Sequence, residues 1–210
     1  SASRRVCIPV CAALLGSPAM LLAQAPPAPA APAAAVPEVD LSDTEKMGKV
    51  AYEAFSKGDW ATAAANYAGL MTVAKKMGAK PEVLEPLYFI LGAAYFNLPD
   101  HAKAEAIFNE YVTTYPKGQN VYQANLALAR ILKAQKKWAD AIKKYEPLKG
   151  GSAVFKDDVN IELAECYTEN QQRDKAIVLF ETALAPGIRS SGEVRQSLKL
   201  VELYQTDRPE

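Results

Sequence analysis

"YFILGAAYFNLPDHAKAEAIFNEYVTTYP", residues 88–116, decides the fold. Apolar residues recur at three- and four-residue spacing on both sides of the polar break "NLPDH", residues 97–101, a pattern of helix, tight turn and helix. The small residues Gly92 and Ala104 stand among the aromatics Tyr88, Tyr95 and Phe108. Two antiparallel helices joined by so short a turn must pack closely, and Gly92 and Ala104 are expected to let one backbone approach the other. Tyr95 and Phe108 are then expected at the seams between this hairpin and its neighbours.

The same phase recurs along the chain. Ala63 and Tyr67, Ala104 and Phe108, Ala141 and Tyr145, and Ala176 and Phe180 each set an aromatic four residues after an alanine. The alanines are 41, 37 and 35 residues apart. An apolar–small pair precedes each: Val50-Ala51, Leu91-Gly92, Leu128-Ala129 and Leu163-Ala164. Polar breaks "SKGDW", "NLPDH", "AQKKW" and "ENQQR" separate pair from alanine. Each unit buries its apolar face only when another stacks on it. The insertion "AKKMGAKPEV" after the first unit should lengthen its second helix or the following loop. Gly150-Gly151 should stop a helix, and "EVRQSLKLVELYQ" should form one more amphipathic helix after the break "PGIRSSG".

These residues carry a resemblance. Tyr88, Leu91, Gly92 and Tyr95, then Ala104, Phe108 and Pro116, resemble the tetratricopeptide repeat (TPR) signature, with Tyr88 where that family most often has tryptophan. The other three units match less fully, and the resemblance covers about residues 43–187. It implies an all-α, right-handed superhelical solenoid of antiparallel helix pairs, about four repeats plus a C-terminal helix. The spacing of Phe108, Tyr111, Tyr115 and Pro116, with "YPKGQNVYQANLAL", resembles the TPR proteins of bacterial cell envelopes.

In the family, the first helix of each pair lines a concave groove that takes extended peptides or partner helices. Helical phase puts Tyr52, Phe55, Phe89, Ala93, Phe96 and Asn97 there in the first two repeats. It puts Leu126, Arg130 and Lys133 there in the third, and Ile161, Glu165 and Glu169 in the fourth. The groove would run from aromatic through basic to acidic. Repeats that clamp acidic chaperone tails use Lys and Asn where this chain has Gly48 and Tyr52, which disfavours a co-chaperone role.

Towards the N-terminus, residues 1–25 combine Arg4-Arg5, an apolar middle and the Ala23-x-Ala25 end, the layout of a secretory signal peptide cut after Ala23 or Ala25. An uncleaved membrane anchor over residues 6–23 is the alternative, weakened by Pro9, Gly16 and Pro18. Residues 26–40, with five prolines among alanines and valines, read as an extended spacer, and residues 41–210 as the repeat domain. Lys and Arg together number 24 and Asp and Glu 24, for a net charge of zero. Without residues 1–25 the balance is 22 basic to 24 acidic, which gives no field pointing to nucleic acid. Cys166 is then the one thiol left, and it is read as a small buried residue.

No motif for catalysis, cofactor or metal emerges. His101 is the only histidine and sits in a turn. Asp157-Asp158 reads as a helix cap and dipole partner, and the lysine pairs 75–76, 136–137 and 143–144 as solvated surface. The expectation is a non-catalytic scaffold without cofactor, binding a protein or peptide partner in the periplasm or at the outer membrane. It would contact membrane only through an uncleaved N-terminal segment. The alternative is a sub-module of a larger envelope assembly in which the array is structural. An enzyme or polysaccharide-binding protein would instead need convergent acids and aromatics in one deep pocket.

Overall fold

The computed structural model describes residues 44–151, 156–185 and 191–205; the expected signal peptide and spacer lie outside them. The described residues form nine α-helices and no strand. In chain order these are α1 (Thr44–Lys57), α2 (Trp60–Lys76), α3 (Pro81–Asn97), α4 (His101–Thr114), α5 (Val121–Ala134), α6 (Trp138–Tyr145), α7 (Lys156–Glu169), α8 (Arg173–Leu184) and α9 (Ser191–Gln205). The helical pairs thus fall where the repeat phase places them. The chain divides into two compact units, Ser1–Ala127 and Leu128–Glu210, with the division inside α5.

One backbone turn closes the first helix of all four pairs. The amides of Asp59, Asp100, Lys137 and Gln172 reach back five residues to the carbonyls of Ala54, Tyr95, Leu132 and Tyr167, at 2.8–3.0 Å. In the first, third and fourth turns the left-handed residue, Gly58 (φ +77°), Lys136 (φ +58°) or Gln171 (φ +59°), adds the second bond of a Schellman motif, to the carbonyl of Phe55, Lys133 or Thr168. In the second turn that place is held by Pro99, which has no amide to donate, so only the first bond is made. The residue after that place starts the next helix. Asp59 and Asp100 cap theirs, accepting from the Thr62 and Lys103 amides at 3.1 and 3.2 Å, whereas Lys137 and Gln172 make no side-chain cap.

In the first unit, α1 packs on α2, α2 on α3 and α3 on α4. The insertion is absorbed twice: α2 runs 17 residues to Lys76, and α3 starts early at Pro81, where a proline suits the first helical position. Gly78 (φ +63°) makes the bend between them. Phe108 meets the expectation only in part. It is fully buried, and a Cβ at Gly92 would lie 2.7 Å from its ring. Gly92 therefore makes room for an aromatic ring inside its own hairpin, rather than for a second backbone. Phe108 is an intra-hairpin core residue, not a seam residue.

The α4–α5 connection is clamped. Glu85 of α3 accepts from the Tyr111 hydroxyl (3.1 Å) and the Gln119 amide (2.9 Å), and the Asn120 amide donates to the Tyr111 oxygen (3.1 Å). Burial pushes the Tyr111 hydroxyl up to about 12, so it stays a donor. A Cβ at Gly118 would sit 2.6 Å from both Glu85 Oε1 and the Tyr111 oxygen, so the clamp closes only over glycine. Lys75 is also more than solvated surface: it meets Glu110 at 3.0 Å and lies 4.7 Å over the Tyr88 ring, whose hydroxyl donates to Glu110.

In the second unit α6 packs on α7, α7 on α8 and α8 on α9. After α6 a 3-10 turn, Glu146–Leu148, leads to Gly150 (φ +74°), so the expected stop is present. Helix α7 starts at Lys156, which puts Asp157 and Asp158 in its first turn rather than ahead of it. That position suits the helix dipole and not a cap. Cys166 is fully buried, and burial raises its thiol to about 12, leaving it protonated and unreactive at neutral pH.

Candidate partner-binding surface

Placed one by one, the expected groove residues separate into exposed and internal sets. Tyr52 on α1 is 40 % exposed. Phe55 is half-buried, edge-on to Trp60 at 5.1 Å and to Tyr67 at 6.2 Å, and so packs within the first hairpin.

Phe89 and Ala93 are corrections. Phe89 is buried between the rings of Phe108 (6.1 Å) and Tyr111 (6.2 Å) of α4, and Ala93 is fully buried. Helical phase failed here because α3 is enclosed on more than one side: every residue from Leu87 to Ala94 is buried. A helix apolar all round has no outward face for phase to identify. Phe96 and Asn97, at the end of α3, are half-buried. Phe96 lies 6.3 Å from the His101 ring, and Asn97 Nδ2 donates to the Ala93 carbonyl at 2.8 Å.

In the second unit the charges bind each other. Arg130 is 8 % exposed, and its Nε donates to both oxygens of Glu162 at 3.0 Å. The Tyr145 hydroxyl donates to Glu162 Oε2 at 2.9 Å. Burial drives the Tyr145 hydroxyl well above its ordinary value, and the adjacent Glu162 carboxylate adds to the rise. Arg130 is therefore an internal ion-pair residue and not a groove cation. Leu126 is fully buried as well.

Lys133 pairs with Glu165, which Lys199 also approaches at 3.4 Å. Burial works against the Glu165 carboxylate, but Lys133 and Lys199 outweigh it and hold its carboxyl below the usual range. Glu169 is exposed. Glu162, the centre of the buried triad, was not among the expected site residues. Its signal was available: Arg130–Glu162 and Lys133–Glu165 both have a separation of 32 residues, one repeat less one turn. Opposite charges at that offset on successive first helices are cross-helix pairs.

Among the described residues no group of three or more His, Cys, Asp and Glu is placed to hold a metal, and no helix is long and apolar enough to cross a membrane. Of the expected groove residues, Tyr52 in the first unit and Glu169 in the second are exposed. They suit contact with a macromolecular surface.

Comparison with known proteins places this geometry. Residues 87–118 match the family model of the tetratricopeptide repeat, over almost the same segment as the quoted sequence. No curated protein matches the chain in sequence. Solved structures with similar folds include the TPR-like repeats of a putative kinesin light chain from Podosopora anserina, at 18% identity and TM-score 0.59. That match covers 80% of this chain and 88% of the other. MamA (residues 41 to the end) from Desulfovibrio magneticus RS-1 is similar at 17% identity and TM-score 0.58, covering 80% of this chain and 98% of its own. BtubC from P. vanneervenii follows at 20% identity and TM-score 0.55, covering 79% and 73%. Residues 87–118 thus match one tetratricopeptide repeat, and with the other hairpins closing on the same turn the described residues have the all-α fold of TPR-like helical repeats.

Proposed function

We propose that this protein is an exported, non-catalytic TPR scaffold that binds a protein partner in the bacterial cell envelope. The observation that carries the scaffold reading is the fourfold use of one helical hairpin closed by the same backbone bond, one copy of which matches the family model. Such arrays generally present helix faces to protein partners. The envelope reading is supported by the basic–apolar–Ala-x-Ala order of residues 1–25 and the proline-rich stretch after it. Binding would centre on Tyr52, whose side chain is exposed in the first unit.

A second reading is favoured by one observation. Arg130, Lys133 and Glu165 are engaged with partners of their own unit, which withdraws them from reading a charged ligand. The second unit would then be a structural part of a larger envelope assembly.

Fractionation of cells expressing the full chain with a C-terminal tag tests export. Recovery in the periplasmic or outer-membrane fraction is expected; retention in the cytoplasm refutes it. Crosslinked capture from the envelope, compared between wild type and Tyr52→Ala, tests the surface. Loss of specific bands with unchanged helicity is expected, and identical recovery removes Tyr52 as a contact.

A further inference from the structure

We infer that α9 is a releasable end cap of the second unit, a helix that leaves α7 and α8 as one piece while they stay folded. Its seat is poor in apolar burial. None of its described side chains, residues 194–205, is buried: Val194, Leu198 and Val201 are exposed, and Leu200 and Leu203 are half-buried. By contrast, α7 sets Val159, Leu163 and Ala164 fully inside the unit, and α8 sets Ala176 and Phe180 there. Burial of apolar surface is the main force that holds helices together, so α9 is the least firmly held of the three. Elements with few buried apolar contacts open on their own, below the free energy of global unfolding.

Polar contacts tie α9 down instead. Arg173 donates to the Leu203 carbonyl, the Tyr204 hydroxyl donates to Glu181, and Lys199 reaches Glu165 Oε1 at 3.4 Å. The last of these is arranged for release. Lys133 of α5 holds the other oxygen of the same carboxylate, so Glu165 keeps a cation when Lys199 leaves. A half-buried carboxylate left with no cation would oppose opening, and the second lysine removes that penalty. The two ammonium groups also repel each other, which works against the closed state. Opening parts Arg173 from the Leu203 carbonyl and uncovers the side of α8 on which α9 packs. A detached helix of 15 residues is marginal in water, so its amides exchange with solvent once it leaves.

Native-state hydrogen exchange of the full chain, resolved by mass spectrometry into peptides of α8 and α9, tests this. The α9 amides should exchange well before those of α8, yet more slowly than a free peptide of the same sequence. Lys199→Met should speed exchange of α9 about two- to fivefold and leave α8 unchanged. Lys133→Met separates a releasable cap from simple fraying. Opening then strands Glu165, so exchange of α9 should slow about twofold or more, with α8 as the internal reference. Fraying inward from the end of α9 would not respond to Lys133. Exchange of α9 together with α8, or as fast as the free peptide, overturns the inference. So does α9 exchange that is unchanged by Lys199→Met or not slowed by Lys133→Met.

Discussion

The two units close their hairpins on one backbone turn but fill and cap them differently. In the first, aspartates cap both second helices, and the interior is aromatic: Phe108 lies in the space left by Gly92, with Phe89 against Phe108 and Tyr111. In the second, Lys137 and Gln172 leave the caps unmade, and the interior holds a buried Arg130–Glu162–Tyr145 triad. The difference teaches that this fold is specified by the turn and the small–aromatic register. The side chains that supply the energy are interchangeable between repeats.

The largest expected break in that comparison is Arg130→Met. It leaves Glu162 buried with one hydroxyl for a partner and should cost the second unit about 3–5 kcal/mol. Removing all three polar ends, with Arg130→Met, Glu162→Leu and Tyr145→Phe together, should recover most of the loss. The two tryptophans report the units separately: Trp60 lies in the first and Trp138 in the second. Denaturation followed by Trp138 fluorescence in a Trp60→Phe background should shift to lower denaturant, and no shift would mean the triad is dispensable.

Gly92→Ala is the matching break in the first unit. The new Cβ would approach the Phe108 ring to 2.7 Å, and the ring is fully buried and cannot retreat. Overpacking of this kind should cost about 1–3 kcal/mol, read from Trp60 fluorescence in a Trp138→Phe background. Phe108→Leu in combination should relieve part of it. If the double variant is no better than the sum of the singles, the contact with Phe108 is not the reason for glycine at 92.

The fold was legible because it depends on features that repeat. An alanine four residues before an aromatic, and a polar break of fixed length, appear four times, and agreement among copies outweighs the weakness of any one. The candidate surface was less legible because it depends on which helices are enclosed. Phase alone sees one apolar face. It placed Tyr52 outward and Phe89 with it, although α3 is wrapped from Leu87 to Ala94. The role of Gly92 was misjudged for a related reason. Sequence shows where a small residue is needed but not whether a backbone or a ring occupies the space.

The caps should give smaller effects of opposite sign. Asp100→Ala removes a side-chain bond to the Lys103 amide and should cost about 1 kcal/mol in the first unit. Gln172→Asp introduces the missing cap of α8 and should raise the stability of the second unit by up to about 1 kcal/mol. A neutral result at 172 would show that the uncapped turns are already satisfied by other means.

The smallest effect is a pH dependence carried by the same cap. Burial works against the Asp100 carboxylate, but Lys103, through its ammonium at 2.9 Å and its amide at 3.2 Å, outweighs this and holds the carboxyl below the usual range. A folded-state value below the unfolded one, about 3.9, means that the stabilisation is complete above that pH and lost as pH falls through the folded value. Asp100→Asn keeps a capping oxygen without the titration. The melting temperature of the wild type should therefore exceed that of the variant at pH 7, and the gap should close below about pH 4. Other carboxylates titrate in the same window, Glu110 and Glu165 among them, but they are common to both proteins and cancel in the difference. A gap that is constant from pH 7 to pH 3 would assign the cap to hydrogen bonding alone, and would remove charge from the contrast between the aspartate-capped turns and the uncapped ones.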